Sequence, residues 1–257
     1  MEKIEKKLIF LKRFNLIMFI FHIIQVFLIL YLSNNFKLPI TRSYPFFDTT
    51  TMQITQASET ITQIPIAPLI ALFLLISSTA HLLIGSILYE RYKIHLKNGM
   101  NPYRWYEYSI SASLMIVIIA MLTSIYDIGT LLCLFILTAV MNLMGLMMEI
   151  HNQTTKKTRW ISYNIGCIAG FIPWVVIFIS LIGGTSTSGG SVPDFVVGIF
   201  VSIAIFFNLF AINMLLQYKK IWKWKDYLYG EKVYIILSLV AKSALAWQVF
   251  AGTLRPM

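Results

Sequence analysis

Seven stretches of this chain are each long and apolar enough to cross a bilayer as a helix, and no other feature limits its fold so tightly. A helix crossing the hydrocarbon needs about 20 mostly apolar residues. The qualifying stretches are 14–32, 65–88, 101–124, 130–148, 161–183, 195–218 and 233–253. Breakers separate them: Asn34-Asn35, Lys97-Asn98-Gly99, Asp127-Ile128-Gly129, a Gly/Ser/Thr run at 183–191, and Gly230. Hydrophobic residues make up 58% of the chain and charged residues 12%, against roughly 45–50% and 25% in soluble domains. That balance excludes a disordered chain, a nucleic-acid module and an ordinary cytosolic enzyme. The expected fold is an all-α membrane protein, a single seven-helix bundle over residues 1–257. The first span is too long for a cleaved signal peptide, lacks a small-residue cleavage site and contains His22 and Gln25. The one sizeable loop, 33–64, is polar and β-prone and is expected to hold a short hairpin. Cys133 and Cys167 both lie inside spans, which argues against a structural disulfide.

The formal charge of +10 reflects topology. Lys and Arg accumulate in cytoplasmic loops. Seventeen of the 21 basic residues fall on the N-terminal side: Lys3, Lys6, Lys7, Lys12 and Arg13; Arg91, Lys93, Lys97 and Arg104; Lys156, Lys157 and Arg159; Lys219, Lys220, Lys223, Lys225 and Lys232. The opposite side has Lys37, Arg42 and Arg255. The N-terminus is therefore expected to be cytoplasmic and, after seven spans, the C-terminus extracellular. The basic loops need no nucleic acid to explain them.

One basic residue belongs to neither side. Lys242 is the tenth residue of the seventh span. A lysine at mid-bilayer costs roughly 2.5–3.5 kcal/mol and is a functional residue by default. It needs an acid, and among the eleven acids only Glu107 lies inside a span; Glu149 and Glu231 sit at span ends, Glu149 beside a basic loop it would cap or pair with. Asn101-Pro102 reads as a helix N-cap and first turn, which puts Glu107 about 9 Å deep and Lys242 about 15 Å deep from the same side. The lysine stem spans the difference. Ser238 and Ser111 lie one turn away on the same faces and can hydrogen-bond the pair. A structural salt bridge is one reading. Buried ion pairs stabilise weakly, however, and Schiff-base formation with an aldehyde is among the few reactions that favour a desolvated lysine. Among seven apolar helices that aldehyde is retinal.

These residues resemble the heliorhodopsin family over essentially the whole chain. Asn101-Pro-Tyr-Arg-Trp-Tyr-Glu-Tyr-Ser-Ile-Ser resembles its counterion helix, and Ser238-Leu-Val-Ala-Lys242-Ser-Ala-Leu-Ala-Trp247-Gln its retinal-lysine helix. His22 with Gln25, Ser77 with His81, Glu149, the inverted orientation and the long first outer loop also fit. The resemblance implies all-trans retinal on Lys242, Glu107 as sole carboxylate counterion, a homodimer, and a loop folded partly as strands over the outer face.

Light-driven proton pumps usually carry a second carboxylate one turn before the lysine and a proton donor three turns along the third span. Here those positions are Ser238 and Ile118. The expectation is a light sensor, not an enzyme, with a signalling photocycle and no net ion pumping. The alternatives are a light-gated or light-driven ion transporter, and a retinal-free transporter using the Lys–Glu pair. His22 and His81 share a depth near Lys242 and would, with Ser77, Gln25 and Arg104, form a polar cavity able to hold a proton; a hydrogen-bonded histidine seam is the plainer alternative. Tyr108, Met115, Met141, Gly145, Trp174, Phe206 and Trp247 are candidate pocket walls. No output domain follows the last span, so a signalling partner is expected to be a separate cytoplasmic protein.

Overall fold

A computed structural model describes residues 2–186 and 192–255. Among these, seven helices are long and apolar enough to cross a membrane, and the expected seven-helix architecture is present. The chain runs α1 (Glu2–Leu32), β1 (Lys37–Asp48), β2 (Gln53–Pro65), α2 (Ile66–Gly85), α3 (Tyr89–Lys97), α4 (Pro102–Leu122), α5 (Ile128–His151), α6 (Ile161–Ser186), α7 (Asp194–Tyr218) and α8 (Tyr227–Val249). The α4–α5 and α5–α6 pairs pack side by side, α2 packs on α4, and α1 joins α2 and α8 to close the ring. Most of the Gly/Ser/Thr run at 183–191 lies outside the described residues.

Helix starts follow local chemistry. The Asn101 side chain accepts a hydrogen bond from the Arg104 amide at 3.3 Å, and Pro102 occupies the first helical position. Asp127 caps α5 by accepting from Thr130 N–H at 2.9 Å. Because those backbone donors and the Thr130 hydroxyl hold its charged form, its carboxyl lies below the usual carboxylate range.

Three boundaries differ from the sequence expectation. Helix α1 begins twelve residues early, since Glu2 to Arg13 are helix-forming but too charged to count as a span. The second span ends at Gly85, and a separate nine-residue helix, α3, follows where a loop was expected. The last helix starts at Tyr227, six residues before the apolar stretch, so Glu231 lies inside α8.

The first loop folds as an antiparallel hairpin of 12- and 13-residue strands, longer than the expected short one. Its tip is held by Asp48, whose carboxylate accepts from Thr50 N–H at 2.8 Å and Thr51 Oγ1 at 2.9 Å. Its base is tied to the bundle: Thr41 N–H bonds Tyr126 O, Ile66 N–H bonds Phe36 O, and Asn34 N–H bonds Leu254 O at 2.8 Å. Asn34 therefore fastens the first loop to the π-helical turn Phe250–Leu254 that ends the last span.

Candidate functional site

Lys242 and Glu107 meet in the bundle interior, 4% and 8% exposed at their side chains. Lys242 Nζ donates to Glu107 Oε1 at 2.8 Å and to Ser238 Oγ at 2.9 Å. Ser77 Oγ donates to the same Glu107 oxygen at 2.6 Å. Glu107 is thus anchored from α2 and α8 at once, and Ser238 holds the amine from one turn below. Ser111 stands near Glu107, but its buried hydroxyl closes no hydrogen bond. The Lys242 amine also lies 5.0 Å from the centre of the Tyr108 ring, within cation–π range.

Beside the amine lies a small, mostly apolar cavity. Its walls are Tyr108, Ala112, Met115, Met141, Phe207, Phe210 and Ala241, with Ser111, Asn142, Ser238 and Lys242 as the polar members. A neighbouring small cavity shares Met141, Asn142, Phe207 and Phe210 and continues past Gly145 and Gly166. At Gly145 any Cβ would overlap the Trp105 ring, so glycine there lets α4 and α5 approach closely. An elongated apolar cleft with a single amine in its wall suits a long apolar aldehyde.

Of the expected wall residues, Tyr108, Met115 and Met141 line the first cavity and Gly145 the second. Three do not. Trp247 turns towards α1, donating through Nε1 to Gln25 Oε1 at 3.1 Å and packing on Phe250. Trp174 stacks edge-on against Phe200 and Phe207. Phe206 packs outside the cavity while its neighbour Phe207 enters it. Phe207, Phe210, Asn142, Ala112 and Ala241 are wall residues that the sequence pattern did not single out.

The polar side of the pair holds His22 and His81, stacked with ring centres 5.6 Å apart. Both lie close enough to feel the Lys242 charge. His81 Nδ1 shares a 2.7 Å hydrogen bond with Asn15 Oδ1, whereas both ring nitrogens of His22 are buried without partners. Gln25 belongs to the Trp247 contact, one turn along α1.

Arg104 is not part of that seam. It is buried in a separate cluster, ion-paired to Glu149 at 2.5 Å and to Glu231. Glu149 pairs with Arg104 rather than with its neighbouring basic loop. Asn101 N–H and Trp105 Nε1 donate to Glu149 Oε2, both at 2.8 Å, and Tyr227 OH to Oε1 at 2.9 Å. Glu231 accepts from Asn101 Nδ2 at 2.7 Å and Tyr92 OH at 3.1 Å. The guanidinium is also 3.9 Å from the Tyr234 ring centre. Two carboxylates facing one cation are thus balanced by five further N–H and O–H donors. Glu149 and Glu231 lie within helices and are 1% exposed, so Glu107 is not the only acid inside the bundle.

A family model described as Heliorhodopsin matches residues 11–254, nearly the whole chain. The chain belongs to the heliorhodopsin family. No curated protein sequence matches it. Heliorhodopsins are rhodopsin-like retinal photoreceptors, so membership brings a retinal chromophore and a multi-pass membrane position. The cleft and its buried amine fit that group: the walls are apolar, and Lys242 reaches them from α8. In this heliorhodopsin Cys133 and Cys167 are both free and exposed on the outer surface of the bundle.

Proposed function

We propose that this heliorhodopsin carries all-trans retinal on Lys242 as a protonated Schiff base with Glu107 as counterion, and that it signals without net ion transport. The observation that carries the reading is the Lys242 amine, set in the wall of an apolar cleft and 2.8 Å from a buried carboxylate. Retinal held there would supply a visible chromophore that isomerises in light. The protein's own groups then decide where the proton can go. Glu107 is held by Ser77 as well as by the amine, so it stays in place when the amine moves. The unpartnered His22 ring next to His81 offers one acceptor nitrogen on the same side. Ile118, where pumps carry a proton donor, has no proton to give, and Ser238 is no second acid. The basic loops support a cytoplasmic N-terminal face, where a separate signalling partner would bind; a homodimer is proposed on the family resemblance.

Adding all-trans retinal to expressed apoprotein should produce a visible band, and Lys242→Ala should abolish it. A band that survives the substitution, or no band in the wild type, defeats the reading. In a voltage-clamped cell the wild-type pigment should give no steady photocurrent; a sustained current would assign it to the light-driven or light-gated transporters instead.

A further inference from the structure

An open groove of about 390 Å³ lies on the face where the chain begins, between the α5–α6 and α7–α8 connections. It is separate from the retinal cleft, and it touches the Arg104 cluster through Glu149 and Tyr227. Lys156, Lys220 and Lys225 line it. Every acidic side chain that the described residues place on this face is already in an ion pair with some other base. The three groove lysines therefore converge without any counter-charge among the described residues. Unpaired bases are common on this face, where seventeen basic residues meet six acids; what sets these three apart is that they line one concavity.

The wall that carries two of them is preorganised. Lys220 and Trp222 hold left-handed backbone, at φ +52° and +53°, which non-glycine residues adopt only where their surroundings enforce it. Trp224 Nε1 pins the same loop to Asn213 Oδ1 at 2.6 Å. The Asn98 amide side chain, with no hydrogen bond among the described residues, adds an uncharged donor and acceptor on the opposite wall. Lysine binds phosphate and carboxylate as a point charge, and the volume matches one small molecule, since such sites run roughly 300–1,000 Å³. We infer that this groove is a binding site for a small polyanion bearing two or more phosphate or carboxylate groups, seated on Lys156, Lys220 and Lys225.

The test is calorimetric titration of pyrophosphate into the retinal-loaded protein in neutral detergent, with the visible band as the check on folding. Saturable binding is expected. The triple variant Lys156→Gln/Lys220→Gln/Lys225→Gln should bind about tenfold more weakly, as three partly exposed ion pairs imply. A control triple, Lys3→Gln/Arg13→Gln/Arg91→Gln, removes the same charge from exposed positions on this face outside the groove and should bind as the wild type does. Equal weakening in both triples would show only a diffuse basic field and overturn the site, as would absence of saturable binding. Repeating the titration in nanodiscs of neutral lipid with and without phosphatidylglycerol distinguishes the source. Competition by the anionic lipid makes the natural ligand a headgroup, and its absence makes it a soluble anion; either supports the site. A glutamate-rich peptide that binds where pyrophosphate does not would replace the small-anion proposal with a protein partner.

Discussion

Glu107→Gln is expected to change the colour of the retinal-loaded protein more than any other single substitution that leaves Lys242 in place. The carboxylate oxygen lies 2.8 Å from the Lys242 nitrogen, where opposite unit charges attract by about 6 kcal/mol at an effective dielectric near 20. Glutamine keeps the shape and the hydrogen bond from Ser77 but removes the charge. If the nitrogen keeps its proton, the band moves to longer wavelength, because the lost anion stabilised the cation more in the ground state, where the charge sits on nitrogen, than after excitation. If the proton is lost, the band moves to the near ultraviolet. Absorption spectra across pH separate the two results. An unchanged maximum at every pH would show that Glu107 is not the counterion.

The second large effect is on stability. Removing Arg104 leaves Glu149 and Glu231 buried with no cation, and breaking a buried pair from one side costs about 3–5 kcal/mol. Arg104→Ala should therefore lower the thermal midpoint of the protein sharply. Arg104→Lys should recover only part of the loss, since one ammonium cannot reproduce two divergent guanidinium contacts. Arg104→Ala with both Glu149→Gln and Glu231→Gln should be more stable than Arg104→Ala alone, because the uncompensated charges go with it. A single variant as stable as the wild type would mean that the cluster is neutralised by its tyrosine, tryptophan and asparagine donors without the arginine.

The Lys242–Glu107 pair was legible from sequence because charge inside an apolar span is costly and rare, and counting residues from Asn101 and Lys232 placed both at reachable depths. The Arg104 cluster was hidden by the same logic. Glu149 and Glu231 lie near helix ends, where an acid ordinarily faces water, and position along a chain does not say which way a terminal turn points. The signal available was indirect: Asn101, Trp105, Tyr92 and Tyr227 are hydrogen-bond donors gathered at one end of the bundle. Wall residues were the least legible. In a soluble helix the apolar stripe marks the inward face, but lipid is as apolar as a core. Nothing in the pattern of α7 or α8 says that Phe207 enters the cleft while Phe206 does not, or that Trp247 turns to Gln25. The hairpin was foreseen from the polar, β-prone character of its loop, but its anchoring to Tyr126 and Leu254 depends on partners far along the chain.

Helix α4 carries Arg104 and Glu107 one turn apart, the first inside a cluster that borders the lysine-lined groove and the second hydrogen-bonded to Lys242. A stiff rod with a charged group committed at each site cannot reorient at one without straining the other. Such coupling is reciprocal in free energy. With the proposed chromophore and groove ligand in place, light that rearranged the charge at Glu107 would change the affinity of the groove, and a molecule loaded in the groove would shift the balance of states at Glu107 by the same amount. A receptor built this way would report light to the chemistry of its surroundings and, through its own colour, report that chemistry back; a shift of the visible maximum on adding pyrophosphate is the expected sign.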